Sequence, residues 1–476
     1  MVNDEAAVLG VKNHALCPPV HRESAFKVLN PAELIILYAL LVSLAILLLY
    51  RWHTVLILIV SVLTILYFLD LIFNFSIILR SSLSLPGEIE ISKEEMDSRK
   101  SWPMYTVLCP LYKEADMLPQ FVKAMRDLDY PKDKLQILLV LEEDDEGTVE
   151  EAKGMNLPKS FEMLVVPHSL PKTKPKACNH ALDYVRGEYV VIFDAEDIPQ
   201  PDQLKKAILA FEKVDDKTIC LQAKLNYYNP HQNVLTKLFT LEYSLWFEVI
   251  LTGLQSINGP IPLGGTSNHF KTKHLHELKG WDPFNVTEDA DLGMRICKKG
   301  YKTAIIDSVT MEEANSQLKN WLKQRSRWIK GYMQTYLVHM QSPSDFSFSD
   351  FCIFQLVIGG KVLSALINPV MWFMTILFFV SRTTFGGFIN SLYIGPLLYI
   401  GGFTLIIGNF IYAYIFMIGV AERKQWSLVK YAILAPFYWL IISVSAYYAL
   451  WELIVRPHHW NKTKHGLHFK SIQASI

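Results

Sequence analysis

EYVVIFDAED, residues 188–197, is a short apolar run that ends abruptly in acids. A continuous run of this kind, bounded by polar residues, reads as a strand buried on both faces. Three upstream stretches read the same way: MYTVLCPLY (104–112), LQILLVLEEDD (135–145) and FEMLVVPH (161–168). MLPQFVKAMRDL and KACNHALDYVR, which lie between strands, carry apolar residues at helical spacing. Strand–helix alternation predicts a mostly parallel sheet with helices on both faces, and such sheets bind ligands at the carboxyl ends of their strands. Two of those ends are acidic: Glu142–Glu143–Asp144–Asp145 and Asp194–Ala195–Glu196–Asp197. Two acids one residue apart in a turn can both reach one hard cation, Mg²⁺ or Mn²⁺, which fills its shell with substrate phosphates. A solvated acidic loop would have the same composition.

Outward from this α/β core the composition changes. The chain has 476 residues, 51% hydrophobic and 19% charged, with a net charge of zero. Zero net charge argues against a nucleic-acid binder, and high apolarity argues against a disordered chain. Residues 34–50 and 54–69 are each long enough to cross a hydrocarbon core, and only Arg51–Trp52–His53 separates them, which predicts a tight hairpin. Asp70 and Asn74 follow, either in a polar pathway or near the interface. The uncharged runs 362–381, 383–421 and 431–451 predict further spans, five or six in total, with the side of the C-terminus left open by the basic residues. QLKNWLKQRSRWIKGYMQTYLVHM (317–340) has an apolar face opposite a basic one, as does a helix on a membrane surface, and 234–254 is a second such stretch.

The expected organisation is a polar segment 1–30, a helix hairpin 31–80, a cytosolic domain 100–315, an interfacial helix 316–345, closing membrane helices 350–455 and a basic tail 456–476. The first thirty residues do not resemble a cleavable signal peptide. Six scattered cysteines outline neither a disulfide framework nor a zinc site.

Other polar groups stand beside the acids. Lys174 precedes a helix, where it can meet a diphosphate. Thr287, Glu288 and Asp289 open an amphipathic helix, and an N-cap with acids in its first turn would explain them equally well. Trp328, in QRSRW (324–328), shares an apolar face with Trp321 and Tyr332, so packing competes with sugar stacking. Gly264–Gly265–Thr266–Ser267 is a turn or a backbone-rich shelf, and Gly-Trp-Asp-Pro (280–283) is a turn.

The order of motifs resembles glycosyltransferase family 2: Pro110, Tyr112 and Glu114, then a strand-end acid pair, Lys174, Ala177 and Asn179, DAE(D), TED, and QRxRW. With flanking membrane helices it looks like the processive cellulose and hyaluronan synthases. The resemblance implies a GT-A-like nucleotide-diphospho-sugar transferase fold joined to a transmembrane bundle with interfacial helices. It implies that Tyr112, Glu114, Glu142 and Glu143 hold the base and ribose of the donor, that Lys174 approaches its phosphates, and that Asp194 and Glu196 bind the metal. Asp289, with Glu288 beside it, would be the catalytic acid pair, and Asp289 the general base. Gln324, Arg325 and Arg327 would contact the diphosphate and pyranose, while Trp328 and Thr287 would line the acceptor site. This chain departs from the family twice. Glu142–Glu143 stand where two aspartates are usual, which leaves Asp144 as a substitute, and DAE replaces DxD, which leaves Asp197 as one. The implied function is processive, inverting synthesis of a β-linked polysaccharide, β-glucan first, from a nucleotide sugar such as UDP-glucose, with export through a plasma-membrane bundle. The alternatives are transfer of one sugar to a polyprenyl phosphate, and a non-enzymatic channel.

Overall fold

The computed structural model describes residues 23–83, 88–380, 384–460 and Gly466. The sequence up to residue 22, and most of the basic tail with Lys462, Lys464 and Lys470, lie outside the described residues.

Helix α1 (Pro31–Leu83) breaks its helical backbone only at Arg51 (φ −141°, ψ 39°). Its contacts trace an out-and-back path. Just before it, Gln341 Nε2 donates to the carbonyls of Lys27 and Val28 at 3.1 Å, and near its end Ser81 Oγ lies 3.0 Å from Thr252 Oγ1. At the bend Trp52 stacks on Phe388 and His53 Nε2 meets Ser391 Oγ at 3.1 Å, well away from the globular part.

The globular part follows in chain order: β1 (Glu88–Ile89), β2 (Tyr105–Leu111), β3 (Leu135–Glu142), β4 (Phe161–Val166), α2 (Lys174–Leu182), β5 (Tyr189–Ile192), β6 (Ile198–Pro199), β7 (Thr218–Tyr227), α3 (Val234–Ser244, continued by a π turn, Leu245–Ile250, and Leu251–Ser256), β8 (Asn268–Lys271), α4 (Glu288–Lys298) and β9 (Lys302–Glu312). Nine strands form one sheet in the order β1-β9-β7-β8-β5-β2-β3-β4, with β6 pairing β9. β8 and β6 run antiparallel to their neighbours, and every other pairing is parallel. Tyr105 sits between Leu135 and Tyr189, so β2, β3 and β5 start level and point their carboxyl ends to the same edge. Helices cover both faces, so alternate residues of β2 and β3 enter two cores: Val107, Cys109 and Leu139 on one side, Leu108, Leu138 and Val140 on the other. This is why the strands read as unbroken apolar runs.

Four helical segments are long and apolar enough to cross a membrane: Pro31–Ser81, Phe348–Met374, Pro396–Glu422 and Trp426–Val455. They contain α1, α6 (Lys361–Val380), α7 (Pro396–Glu422) and α8 (Ala435–Val455), and α5 (Leu318–His339) precedes α6. The 39-residue run 383–421 holds a single long helix, α7. This helix returns to the globular part, where Arg423 Nε donates to Glu248 at 2.6 Å.

With α1 running out and back, these four segments allow five passages by length and apolarity. α8 lies lengthwise along α5. At its start Tyr438 meets Trp321 and Arg325, and at its end Glu452 pairs with Lys330 at 3.0 Å. Beyond it Gln334 donates to the Pro457 carbonyl at 3.0 Å, so both ends of α8 stay beside the globular part. Glu452 supplies the reason: a carboxylate among apolar side chains needs a partner, and Lys330 on α5 is wholly buried against it.

Candidate active site

The carboxyl ends of β2, β3 and β5 and the start of α4 face α5 across a cavity of about 1410 Å³. The cavity continues without a break among α1, α3, α6 and α7, where Asp70, Trp246, Lys361 and Tyr412 line it.

The turn after β5 is set by its last acid. Asp197 is wholly buried and accepts hydrogen bonds from the Asp194 backbone N–H at 2.6 Å and from the Thr266 hydroxyl. Burial, then the charge of Asp194, pushes its pKa up to about 8. Asp197 therefore builds the turn, and Asp194 and Glu196 line the cavity.

Lys174, the first residue of α2, donates from Nζ to Asp194 Oδ1 at 2.5 Å and to the Gly265 carbonyl at 2.6 Å. Burial opposes its charge, but Asp194 and Glu288 hold its pKa above the ordinary value. The Gly264–Gly265 segment is thus a shelf in the site. A Cβ on Gly265 would stand 3.4 Å from Asp289 Oδ2, so the shelf and that oxygen are in direct contact range.

Glu288 and Asp289 open α4. Asp289 Oδ1 accepts from the Ala290 N–H at 2.8 Å, and Oδ2 faces the shelf. Burial raises the pKa of Asp289 to about 6 against the pull of that N–H, Lys174 and Arg327. Burial and the adjacent Asp289 raise Glu288 to about 8. α4 meets α5 at Gly331, where an added Cβ would lie within 2.7 Å of Thr287 Cβ and closer still to the rest of that side chain.

Of the residues singled out in the sequence, Tyr112, Glu114, Glu142, Lys174, Asp194, Glu196, Thr287, Glu288, Asp289, Gln324, Arg325, Arg327 and Trp328 line this one cavity. Glu143 does not. It is exposed and accepts from the His168 N–H at 3.0 Å. Glu142 is held by Lys176 at 2.8 Å, with both side chains 5% exposed, so its charge is matched within the fold. Asp144 pairs with Lys172, which stands 5.7 Å over the Tyr112 ring.

The two arginines of QRSRW differ. Arg325 pairs with Glu242, lies 3.2 Å from Tyr438 OH, and is caged by the rings of Phe239, Trp321 and Trp328 at 4.7, 5.3 and 4.7 Å. That anchors α5, while Arg325 Nε has no hydrogen-bond partner among the described residues. Arg327 is half-buried within range of Glu288, Asp289 and Asp194, lies 4.7 Å from the Trp460 ring, and likewise has no hydrogen-bond partner for Nε among the described residues.

Sequence reasoning missed Lys172, Glu312 and Trp460, all of which line the cavity. Glu312 ends β9, and a strand closing in acids was the signal that marked Asp194. Burial, with Asp197 and Asp194 nearby, raises the pKa of Glu312 well above the carboxylate range. Trp460 carried no comparable signal.

Among the described residues no group of three or more His, Cys, Asp or Glu is arranged to hold a metal ion. The donor chemistry still fits a hard cation. Asp194 and Glu196 face the cavity, surrounding carboxylates are raised toward protonation, and one buried oxygen of Asp197, Oδ1, has no hydrogen-bond partner. A two-acid site would leave its other positions to phosphate oxygens.

A mostly parallel mixed sheet, with carboxylates on its carboxyl edge and a basic helix opposite, defines a GT-A-like glycosyltransferase fold. The mannosyltransferase PcManGT from Pyrobaculum calidifontis, solved in complex with GDP-Man and Mn²⁺, shares this fold at a TM-score of 0.51 and 19% identity, over 83% of this chain and 99% of that one. The family model described as glycosyl transferase family group 2 matches residues 189–453. This is more than half of the chain, which therefore belongs to that family. The Bacillus subtilis (strain 168) protein named Probable glycosyltransferase YdaM is 25% identical over 238 residues, 49% of this chain and 56% of its own length. The chain thus spans about half the length of that curated relative.

Proposed function

We propose that this glycosyltransferase is processive and inverting: it polymerises a β-linked glycan, β-glucan first, from a nucleotide sugar, UDP-glucose first, and passes it through a bundle set in the plasma membrane. The observation that carries the reading is the unbroken cavity from Asp194 and Asp289 to Asp70, Lys361 and Tyr412. A growing glycan, polar along its whole length, needs polar groups lining a path between apolar helices.

In this reading Tyr112, Glu114 and Lys172 hold the nucleoside. Lys174 and Arg327 balance the charge that develops on the leaving diphosphate. Asp194 and Glu196 would hold a divalent cation, which when bound adds Lewis-acid stabilisation of that leaving group. Asp289 Oδ2 takes the proton of the acceptor hydroxyl as that oxygen attacks the anomeric carbon. The bond to the diphosphate breaks on the opposite face, so an α-linked donor gives a β-linkage. Trp328, packed between Phe239 and Tyr243, offers a ring face to the acceptor.

The deciding experiment incubates the purified chain with radiolabelled UDP- and GDP-sugars. GDP-sugars belong in the panel because the archaeal mannosyltransferase was solved with GDP-Man. A high-mass, detergent-resistant product supports the proposal. An organic-extractable lipid product overturns it in favour of single transfer to a polyprenyl phosphate.

A further inference from the structure

Part of the cavity lies within the helix bundle, and its charged groups take no part in the chemistry above. Lys361 opens α6, and its Nζ stands 3.0 Å from the ring centroid of Trp246 in α3. The charged groups within range are Glu242, Arg325 and Asp70. Glu242 is already held by Arg325 and by the Tyr438 hydroxyl, so Asp70 is the carboxylate left to balance Lys361. The two are close. Asp70 Oδ1 lies 2.9 Å from where a Cβ on Gly360 would stand, next in the chain to Lys361. Yet no ion pair joins them among the described residues, and Asp70 Oδ2 instead accepts from Tyr412 OH at 3.1 Å.

Opposite charges among apolar helices are costly and seek each other. Charges held near but apart, beside an aromatic face, fit a ligand that bridges them. A pyranose does so: one hydroxyl donates to Asp70, a neighbouring one accepts from Lys361, and the apolar face of the ring lies on Trp246. Asn368 faces the same space, with Tyr67 OH 3.5 Å from its Oδ1.

We propose that Asp70, Lys361 and Trp246 form a second acceptor subsite, for an uncharged pyranose of the glycan already made, and that this subsite selects a neutral polymer. The inference rests on the glycan-acceptor reading above. The four charges sum to zero, so a carboxylated ring would add an uncompensated negative charge beside Asp70 and Glu242. A lipid phosphate would meet the same repulsion and would leave Asn368 and Tyr412 facing isoprenoid carbons.

The test is equilibrium binding to the full chain, purified in detergent, of tritiated β-linked glucose tetrasaccharides and of the same tetrasaccharides oxidised to carboxylates at C6. The unmodified protein is expected to bind the neutral form about tenfold more tightly, a difference that one charge-assisted hydrogen bond accounts for. Lys361→Gln is expected to weaken the neutral form by about tenfold, and Lys361→Arg to retain most of it. Equal or tighter binding of the oxidised form, or insensitivity to Lys361→Gln, overturns the subsite while leaving a glycan acceptor standing. Failure of every tetrasaccharide to bind, with nucleotide release stimulated by polyprenyl phosphate, overturns the glycan-acceptor reading itself.

Discussion

Asp289→Asn changes one oxygen of a carboxylate to nitrogen and nothing else in shape. The Oδ1 bond from the Ala290 N–H at 2.8 Å survives, because a carboxamide oxygen accepts as well. The other atom, which faces the Gly265 shelf, becomes a donor that cannot take a proton. Loss of a positioned general base costs about 10²–10⁴ in rate, or roughly 3–5 kcal/mol of transition-state stabilisation. Transfer should fall by that factor, with donor affinity measured by nucleotide-sugar titration nearly unchanged. The pH profile supplies an independent check. With Asp289 raised to about 6 by burial, kcat/KM of the unmodified enzyme should fall tenfold per unit below pH 6, as the base is protonated. That acidic limb should vanish in the variant. Stability runs the other way. A carboxyl whose folded pKa lies above its ordinary value contributes least once ionised, so removing its charge should not lower Tm at pH 7. Loss of donor affinity with normal turnover at saturation, or persistence of the limb near pH 6, would refute the assignment.

Excess chelator should abolish transfer, and Mn²⁺ or Mg²⁺ should restore it; full activity in chelator would exclude the two-acid cation site. Gly331→Ala, despite a helix-propensity gain of up to about 1 kcal/mol, should destabilise by about 1–3 kcal/mol through overpacking against Thr287, and calorimetry should show a lowered Tm. Lys330→Met removes the ammonium that balances the buried Glu452 carboxylate at 3.0 Å, so denaturant melts should show a loss of about 3–5 kcal/mol, partly recovered in the double variant with Glu452→Gln.

The strands that end in the site were legible because burial on both faces leaves β2, β3 and β5 almost wholly apolar. β7 and β9 were not. TICLQAKLNY and KTAIIDSVTME mix polar and apolar residues, since Gln222, Lys224, Ser308 and Thr310 are buried through partners that only the fold supplies. The residues that line the cavity were legible by type and order. Their partners were less so: Lys176 matches Glu142, and the Glu242–Tyr438 pair claims Arg325, across separations of 34, 83 and 113 residues. α8 is apolar on nearly every face, so its sequence carried no sign that it packs lengthwise along α5. The segment before α1 read as a loose polar tail, yet Ser24 and the Ala25 N–H are bound by Asp282, at 2.7 and 2.6 Å, in the Gly-Trp-Asp-Pro turn.

α5 joins the acid cluster to the bundle: Arg327 and Lys330, three residues apart and so on one face of the helix, lie within range of Asp289 and against α8 respectively. A sugar joined at Asp289 and pushed onward would leave bulk solvent one ring at a time, exchanging hydration for fixed hydroxyl partners at Tyr412 and Asn368. The work of dehydrating a long polar molecule would then be divided into steps no larger than the repeat unit, each coupled to the formation of one new bond.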